Sequence, residues 1–138
     1  QRLAIAATLA MLPEVLILDE PTAGLDPLGQ AEVLGVIESL CRRRQMTILW
    51  VSHDAEHVAE FADRVAVMVE GRILSEGAPK DLFWREEVLR SAGLAAPQVT
   101  QVAATLNRRL GTAYRFTRLG EAEAALQRDL LAARGGHL

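Results

Sequence analysis

The stretch that decides the fold is Val15-Leu16-Ile17-Leu18-Asp19-Glu20-Pro21-Thr22-Ala23-Gly24-Leu25-Asp26. Its first four residues have the length and branching of a strand buried on both faces, which is usually a parallel strand of a helix-covered sheet. Asp19 and Glu20 fall at the carboxyl end, the edge where open α/β sheets bind ligands. Neighbouring strand residues point to opposite faces, so one carboxylate can serve a metal ion and the other a reacting water. Taken alone, the pair is more simply interpreted as two acids that close a strand at a solvated edge.

The segments on either side of this stretch predict an α/β order. Gln1 to Leu12 is rich in alanine and leucine and stops at Pro13, which predicts a helix leading into the strand. After the stretch, apolar residues recur on one helical face, with Asp26 as a candidate N-cap and Pro27 in the first turn. Those apolar residues are Val33, Val36, Ile37, Leu40 and Cys41.

A second strand and a hairpin come next. Met46 to Ser52 predicts a second parallel strand, which ends at Ser52-His53-Asp54 and leads into a short helix. Arg64 to Val69 predicts a third strand, and Glu70-Gly71-Arg72 turns it into Ile73-Leu74 as an antiparallel hairpin. Polar side chains therefore follow the second strand as they follow the first.

Beyond Gly77 the composition changes to helices, and we predict a subdomain boundary there, between residues 1–77 and residues 78–138. The predicted helices cover Pro79 to Ala92, Pro97 to Leu110 and Glu121 to Ala133, with Tyr114 to Thr117 as a short extended link. We expect Trp50 and Met68 in the core, Trp84 in subdomain packing and His57 on a solvated face.

Composition excludes several classes of protein. A hydrophobic fraction of 50% in 138 residues can fill one core. A net charge of -3 gives no overall attraction to nucleic acid. The apolar runs are much shorter than the roughly 20 residues of a membrane-spanning helix. Cys41 is the single cysteine, and we predict it as a buried structural thiol.

The motifs in order are more specific than any one of them. An apolar strand that ends in Asp19-Glu20 matches the Mg²⁺-holding strand of nucleoside triphosphatases. Pro21-Thr22-Ala23-Gly24-Leu25-Asp26-Pro27 follows, then Val51-Ser52-His53-Asp54, then Ala62-Asp63-Arg64-Val65 and Glu70-Gly71-Arg72-Ile73. In this order and spacing, residues 1–83 closely resemble the nucleotide-binding subunit of ATP-binding cassette (ABC) proteins. The implied fold is the C-terminal part of a P-loop NTPase, with parallel core strands, an antiparallel hairpin and a helical extension.

The resemblance implies roles for four residues. Asp19 resembles the acid that binds Mg²⁺, and Glu20 resembles the base that polarises the water attacking ATP. His53 resembles the switch histidine that senses the γ-phosphate. Asp26, with Leu25, resembles the loop that reaches across a dimer to the other subunit's nucleotide, which makes ATP and Mg²⁺ the implied cofactors.

Two nucleotide-gripping motifs are absent from the sequence. A P-loop needs Gly-x-x-x-x-Gly-Lys-Ser/Thr, but the single lysine, Lys80, follows Pro79 without a glycine-rich turn. The signature Leu-Ser-Gly-Gly-Gln is also missing, although in the family it directly precedes a pair like Gln1-Arg2. We therefore expect the back half of a cassette, inactive by itself, with unpaired sheet edges and exposed apolar faces.

The C-terminal part is similar to the extension of energy-coupling-factor and cobalt-type importers, through residues 81–94, 97–100 and 119–126. That resemblance implies hydrolysis of ATP to drive uptake of a metal ion or vitamin. The implied partners are a second ATPase subunit in a head-to-tail dimer, a transmembrane coupling protein and a substrate-binding membrane component. The implied location is the cytoplasmic face of the cell membrane, as a peripheral subunit.

Two alternative functions stay open at this point. The chain could be a non-enzymatic dimerising or regulatory piece, or part of a non-transport ABC ATPase. The second alternative is less favoured because the short spacing from Asp26 to His53 leaves no room for an inserted arm.

Overall fold

The structure is a computed structural model that describes residues 7–8, 10–11, 13–44 and 46–135. Most of the helix predicted over Gln1 to Leu12 lies outside these residues; Ala7 and Thr8 are helical. Contacts divide the chain into two compact units, Gln1–His53 and Asp54–Leu138. The subdomain boundary expected after Gly77 stays a prediction.

The first unit is built on a parallel pair of strands. β1 (Val15–Asp19) and β2 (Thr47–Val51) are joined by helix α1 (Pro27–Arg44), as the sequence predicts. Their register pairs Val15 with Thr47 and Asp19 with Val51, so the two carboxyl ends are level. A helical crossover is the usual way to connect parallel strands, because a short turn cannot reverse the chain twice.

One face of this strand pair is buried and the other is exposed. Leu16 and Leu18 pack with Val33 and Ile37 of α1, and Leu16 is 3% exposed. On the opposite face Ile17 is 67% exposed. The prediction that β1 is buried on both faces is therefore wrong for the described residues, because α1 covers one side alone. The remaining apolar residues of the exposed face are Val15, Leu49 and Val51.

The prediction that Cys41 is a buried thiol on helix α1 is wrong. Val33 and Ile37 are buried as predicted, but Val36 is exposed, and so is Cys41. The helix has 18 residues and rises about 27 Å, whereas each five-residue strand spans about 17 Å. The helix is therefore longer than the strands it packs against, and Cys41 lies near its C-terminal end.

The second unit begins with helix α2 (Ala55–Phe61) and the predicted antiparallel hairpin of β3 (Val65–Val69) and β4 (Arg72–Gly77). Glu70 and Gly71 form the two-residue loop with φ of 49° and 75°. Positive φ at both loop residues is the conformation that matches the twist of a tight hairpin. Met68 is 62% exposed, so its predicted place in the core is wrong.

Four further helices follow within the described residues: α3 (Pro79–Leu82), α4 (Glu86–Ser91), α5 (Gln98–Leu110) and α6 (Leu119–Gly135). The single helix predicted from Pro79 to Ala92 is thus two short ones. The break follows Leu82 and Phe83, consecutive residues that are both buried with Ala59, Val67 and Leu89. The backbone leaves the helical conformation at Arg85, where φ is −91° and ψ is 77°, and α4 begins at the next residue.

Helices α5 and α6 pack around a third cluster, which consists of Ala103, Phe116 and Ala122. Trp84 is half-buried against it, which matches its predicted packing role. His57, predicted to be solvated, is half-buried, and its Nδ1 lies 3.0 Å from Asp54 Oδ2. None of the helices in the described ranges is long and apolar enough to cross a membrane.

Candidate functional site

The candidate site lies at the level carboxyl ends of β1 and β2. The Glu20 amide donates to the Val51 carbonyl at 2.9 Å, which continues the ladder by one bond beyond Asp19. This bond brings the residue after β1 alongside Ser52 and His53, the residues after β2. The sheet register therefore brings together Glu20 and His53, two residues predicted to be catalytic, across 33 positions of sequence.

Glu20 has a left-handed backbone, with φ of 44°. A non-glycine residue in this region is uncommon and costs on the order of 1–2 kcal/mol, so surrounding contacts must hold it there. The Ala23 amide donates to the Glu20 carbonyl at 3.1 Å in the turn that follows. Glu20 thus leaves the strand alternation, and its carboxylate lies against the Ser52-His53 turn.

The Glu20 carboxylate receives contacts on both oxygens. Oε1 accepts the His53 backbone N–H at 3.1 Å and lies 2.6 Å from His53 Nδ1. Oε2 accepts the Ser52 hydroxyl at 3.4 Å. An ionised carboxylate accepts only, so the ring contact requires a proton on Nδ1. In a neutral ring Nε2 then has a lone pair, and it donates a hydrogen bond only when the ring is protonated.

The pair is open to a ligand. The His53 side chain is 80% exposed and the Glu20 side chain 33% exposed. A base that is fixed by a neighbour yet accessible can take a proton from a bound water, provided that the water is held within hydrogen-bond reach. The arrangement suits general-base chemistry at the sheet edge.

Asp19 lies apart from the Glu20–His53 contact. It is exposed and, by strand alternation, on the same face as Val15 and Ile17. Among the described residues, no group of three or more His, Cys, Asp or Glu side chains could hold a metal ion. A single carboxylate nevertheless fits Mg²⁺, which is commonly held by one or two carboxylates together with substrate phosphates and water.

Asp26 caps helix α1. Its Oδ1 accepts the Gly29 amide at 2.8 Å, and its carbonyl accepts the Gln30 amide at 2.9 Å. Pro27 is the first helical residue, where its missing N–H costs nothing. The predicted cap is thereby confirmed, whereas the role of Asp26 across a dimer stays a prediction.

The motif Ser52-His53-Asp54 predicts no role for Ser52 itself, and the structure shows that the Ser52 hydroxyl contacts the Glu20 carboxylate. The signal available in the sequence was its position, immediately after a strand whose end carries polar residues. Asp54 was likewise missed as a cap: its Oδ1 accepts the amides of Glu56 at 3.0 Å and His57 at 3.1 Å at the start of α2.

Comparison with known proteins gives the same class as the motifs. No family model matches the chain. The energy-coupling factor transporter ATP-binding protein EcfA2 of Clostridium tetani is 53% identical over 106 residues, 77% of this chain and 37% of that protein. EcfA2 of Latilactobacillus sakei is 47% identical over 132 residues, 95% of this chain and 45% of that protein.

A solved structure is also similar: CbiO1 from Clostridium perfringens, part of the ABC transporter complex CbiONQ. It matches with a TM-score of 0.55 and 40% identity, over 80% of this chain and 38% of that chain. The parallel strand pair, the hairpin and these similarities define the class: the chain is homologous to ABC transporter ATP-binding proteins.

Within that class, the chain is homologous to the ATP-binding proteins of energy-coupling factor transporters, so the resemblance seen in the motifs is confirmed. The chain spans 37% to 45% of these two EcfA2 proteins.

Proposed function

We propose that these residues are part of an ATP-hydrolysing subunit of an energy-coupling factor importer, which takes up a metal ion or vitamin. The observation that carries the proposal is the 2.6 Å contact between Glu20 and His53 at the ends of two parallel strands. It joins a base and a polar ring at the sheet edge where α/β proteins bind ligands. The identity to ATP-binding relatives supplies the substrate class.

In this proposal Glu20 accepts the proton of the water that attacks the γ-phosphate. His53 holds Oε1 of that carboxylate through Nδ1–H and offers Nε2 to a phosphate oxygen. Because Nδ1–H is already engaged by Glu20, donation from Nε2 calls for the protonated ring. Asp19 would hold Mg²⁺, which neutralises phosphate charge when bound.

The proposal places the nucleotide-gripping loops outside these 138 residues, because the sequence has neither the P-loop nor the signature motif. Residues 1–138 would contribute the metal acid, the base, the switch histidine and the Asp26 loop to a head-to-tail dimer. The proposed partners are a second ATPase subunit, a transmembrane coupling protein and a substrate-binding membrane component, at the cytoplasmic face of the membrane.

The test is Glu20→Gln in the complete cassette, assayed for steady-state ATP hydrolysis. Loss of a general base typically costs about 10²- to 10⁴-fold, and we expect a fall in that range with ATP still bound. Glu60→Gln is the matched control, since Glu60 is an exposed glutamate on α2 and should leave hydrolysis unchanged. Normal hydrolysis by the Glu20→Gln protein would refute the assignment.

A second experiment separates the proposal from a role for the 138-residue chain as a nucleotide-binding unit by itself. Isothermal titration of the purified chain with Mg-ATP should show no binding at micromolar concentrations, because the sequence lacks both gripping motifs. Micromolar binding would contradict the proposal that the nucleotide-gripping loops lie outside these 138 residues.

A further inference from the structure

The Glu20 carboxylate is held at both oxygens, and the imidazole accounts for one of them. His53 contacts Oε1 through its ring and its backbone amide, while the Ser52 hydroxyl donates to Oε2 at 3.4 Å. We propose that Ser52 is a positioning residue, which orients the plane of the Glu20 carboxylate for water activation. The inference rests on the proposed function, since it gives Ser52 a part in the same reaction.

The geometry of a glutamate explains why the second contact matters. The last torsion of the side chain joins an sp³ to an sp² carbon, so it has no sharp energy minima. Rotation about that bond moves both oxygens, so the contacts at Oε1 restrain the carboxylate plane through one oxygen only. A donor at Oε2 restricts the rotation, and the orientation of the plane decides which lone pairs face an attacking water.

The backbone gives a second reason. Glu20 is held with φ of 44°, a conformation that a glutamate does not adopt by preference. The side chain therefore depends on tertiary contacts for its direction, and these come from the Ser52-His53 turn. Ser52 is half-buried and Glu20 is half-buried, so water competes for this hydroxyl contact less than it would at a fully exposed pair.

Ser52 acts through Glu20 in this proposal and needs no contact with nucleotide. Removing its hydroxyl should lower kcat and leave the KM for ATP nearly unchanged. The contact is long, so we expect the effect of one ordinary side-chain hydrogen bond, about 3- to 10-fold in kcat.

The experiment compares Ser52→Val with Ser52→Thr in the complete cassette with its partner subunits. The two variants have the same shape and differ in the hydroxyl, so their difference reports the hydrogen bond. We expect Ser52→Val to lower kcat about 3- to 10-fold and Ser52→Thr to keep kcat within about twofold of the parent. Ser91→Ala is the control, because Ser91 bonds the Glu87 carbonyl within α4 and should leave kcat unchanged.

Equal kcat in the Val and Thr variants would overturn the proposal, whether both are normal or both are reduced, because shape and not the hydroxyl would then be decisive. A rise in KM with unchanged kcat would also overturn it. The Glu20→Gln assay distinguishes failure of the Ser52 proposal from failure of the proposed function. If Glu20→Gln is inactive and Ser52→Val is normal, Ser52 has no positioning role and the proposed function stands; if Glu20→Gln is active, the proposed function itself fails.

Discussion

Gly29 and Gly35 lie on the same helix, α1, but the structure predicts opposite outcomes when each is changed to alanine. A Cβ added at Gly35 meets no described atom within 4 Å, whereas at Gly29 it would lie 2.8 Å from Asp26 Oδ1. That oxygen is the capping acceptor of the Gly29 amide. Alanine at position 29 must therefore displace the cap.

The magnitudes follow from two opposing terms. Alanine is more favourable than glycine in a helix interior by about 1 kcal/mol, so Gly35→Ala should raise the free energy of unfolding by about that amount. Loss of an aspartate cap costs about 1 kcal/mol. At Gly29 the two terms offset each other, and the propensity gain is smaller in the first turn, so Gly29→Ala should change stability little or lower it.

The assay is urea unfolding followed by circular dichroism, with Asp26→Ala as a third variant. Asp26→Ala should cost about 1 kcal/mol by itself. In that background the clash is gone, so Gly29→Ala should become stabilising, and the double-mutant cycle should show a coupling of about 1 kcal/mol. Equal stabilisation by Gly29→Ala and Gly35→Ala in the parent protein would refute the reasoning about the cap.

Three further predictions rest on other parts of the chain. The hydrogen bond to Asp129 raises the pKa of Tyr114, the single tyrosine, with desolvation and the Asp129 charge acting in the same direction. A titration followed by tyrosine absorbance should thus show a midpoint above pH 10.0, and Asp129→Asn should lower that midpoint. The stability that this bond contributes should persist below pH 10.0 and disappear as the pH rises through the raised pKa. An unchanged midpoint in Asp129→Asn would contradict this prediction. Leu16→Ala should cost about 2–5 kcal/mol in urea unfolding, whereas Ile17→Ala on the exposed face should cost much less, and equal losses would show that the second face is covered. Asp54→Ala should cost about 1 kcal/mol through loss of the α2 cap, an effect that unfolding midpoints would detect and that an unchanged midpoint would disprove.

Much of the first unit could be predicted because its signals are local. The apolar run Val15 to Leu18 and the cap at Asp26 each depend on near neighbours in sequence, as does the turn at Glu70-Gly71 in the second unit. The level strand ends then place Glu20 beside His53 without further information, because parallel strands present their carboxyl ends at one edge. For this reason the strand register brings together Glu20 and His53, the two residues that the motifs predict to be catalytic.

The wrong predictions concern which faces of a strand or helix are buried, and burial depends on contacts with residues far away in the sequence. An apolar run does not state how many of its faces meet a partner, and Ile17 is exposed among the described residues although its neighbours are buried. The same holds for Cys41, which is exposed although it follows the helical spacing of the buried Val33 and Ile37. The break after Phe83 lies beside a cluster with residues from four elements, α2, β3, α3 and α4, which a helical pattern in one segment cannot reveal.

The contact between Ser52 and Glu20 was out of reach for a related reason. It requires the left-handed backbone at Glu20, and nothing in the sequence favours that conformation for a glutamate. The pairing of Asp19 with Val51 and the bond from the Glu20 amide to Val51 together set it up. The geometry of the Ser52–Glu20 contact thus follows from the strand register, which the residue pattern of either segment alone does not give.

The central claim is that Glu20 is the catalytic base of an ATP-hydrolysing cassette. The most direct test is a single turnover by the complete Glu20→Gln protein preloaded with ATP, with bound nucleotide and released phosphate measured in the same sample. We predict that ATP stays bound and that phosphate release falls by at least about 10²-fold relative to the parent. A burst of phosphate at the parental rate would contradict the account.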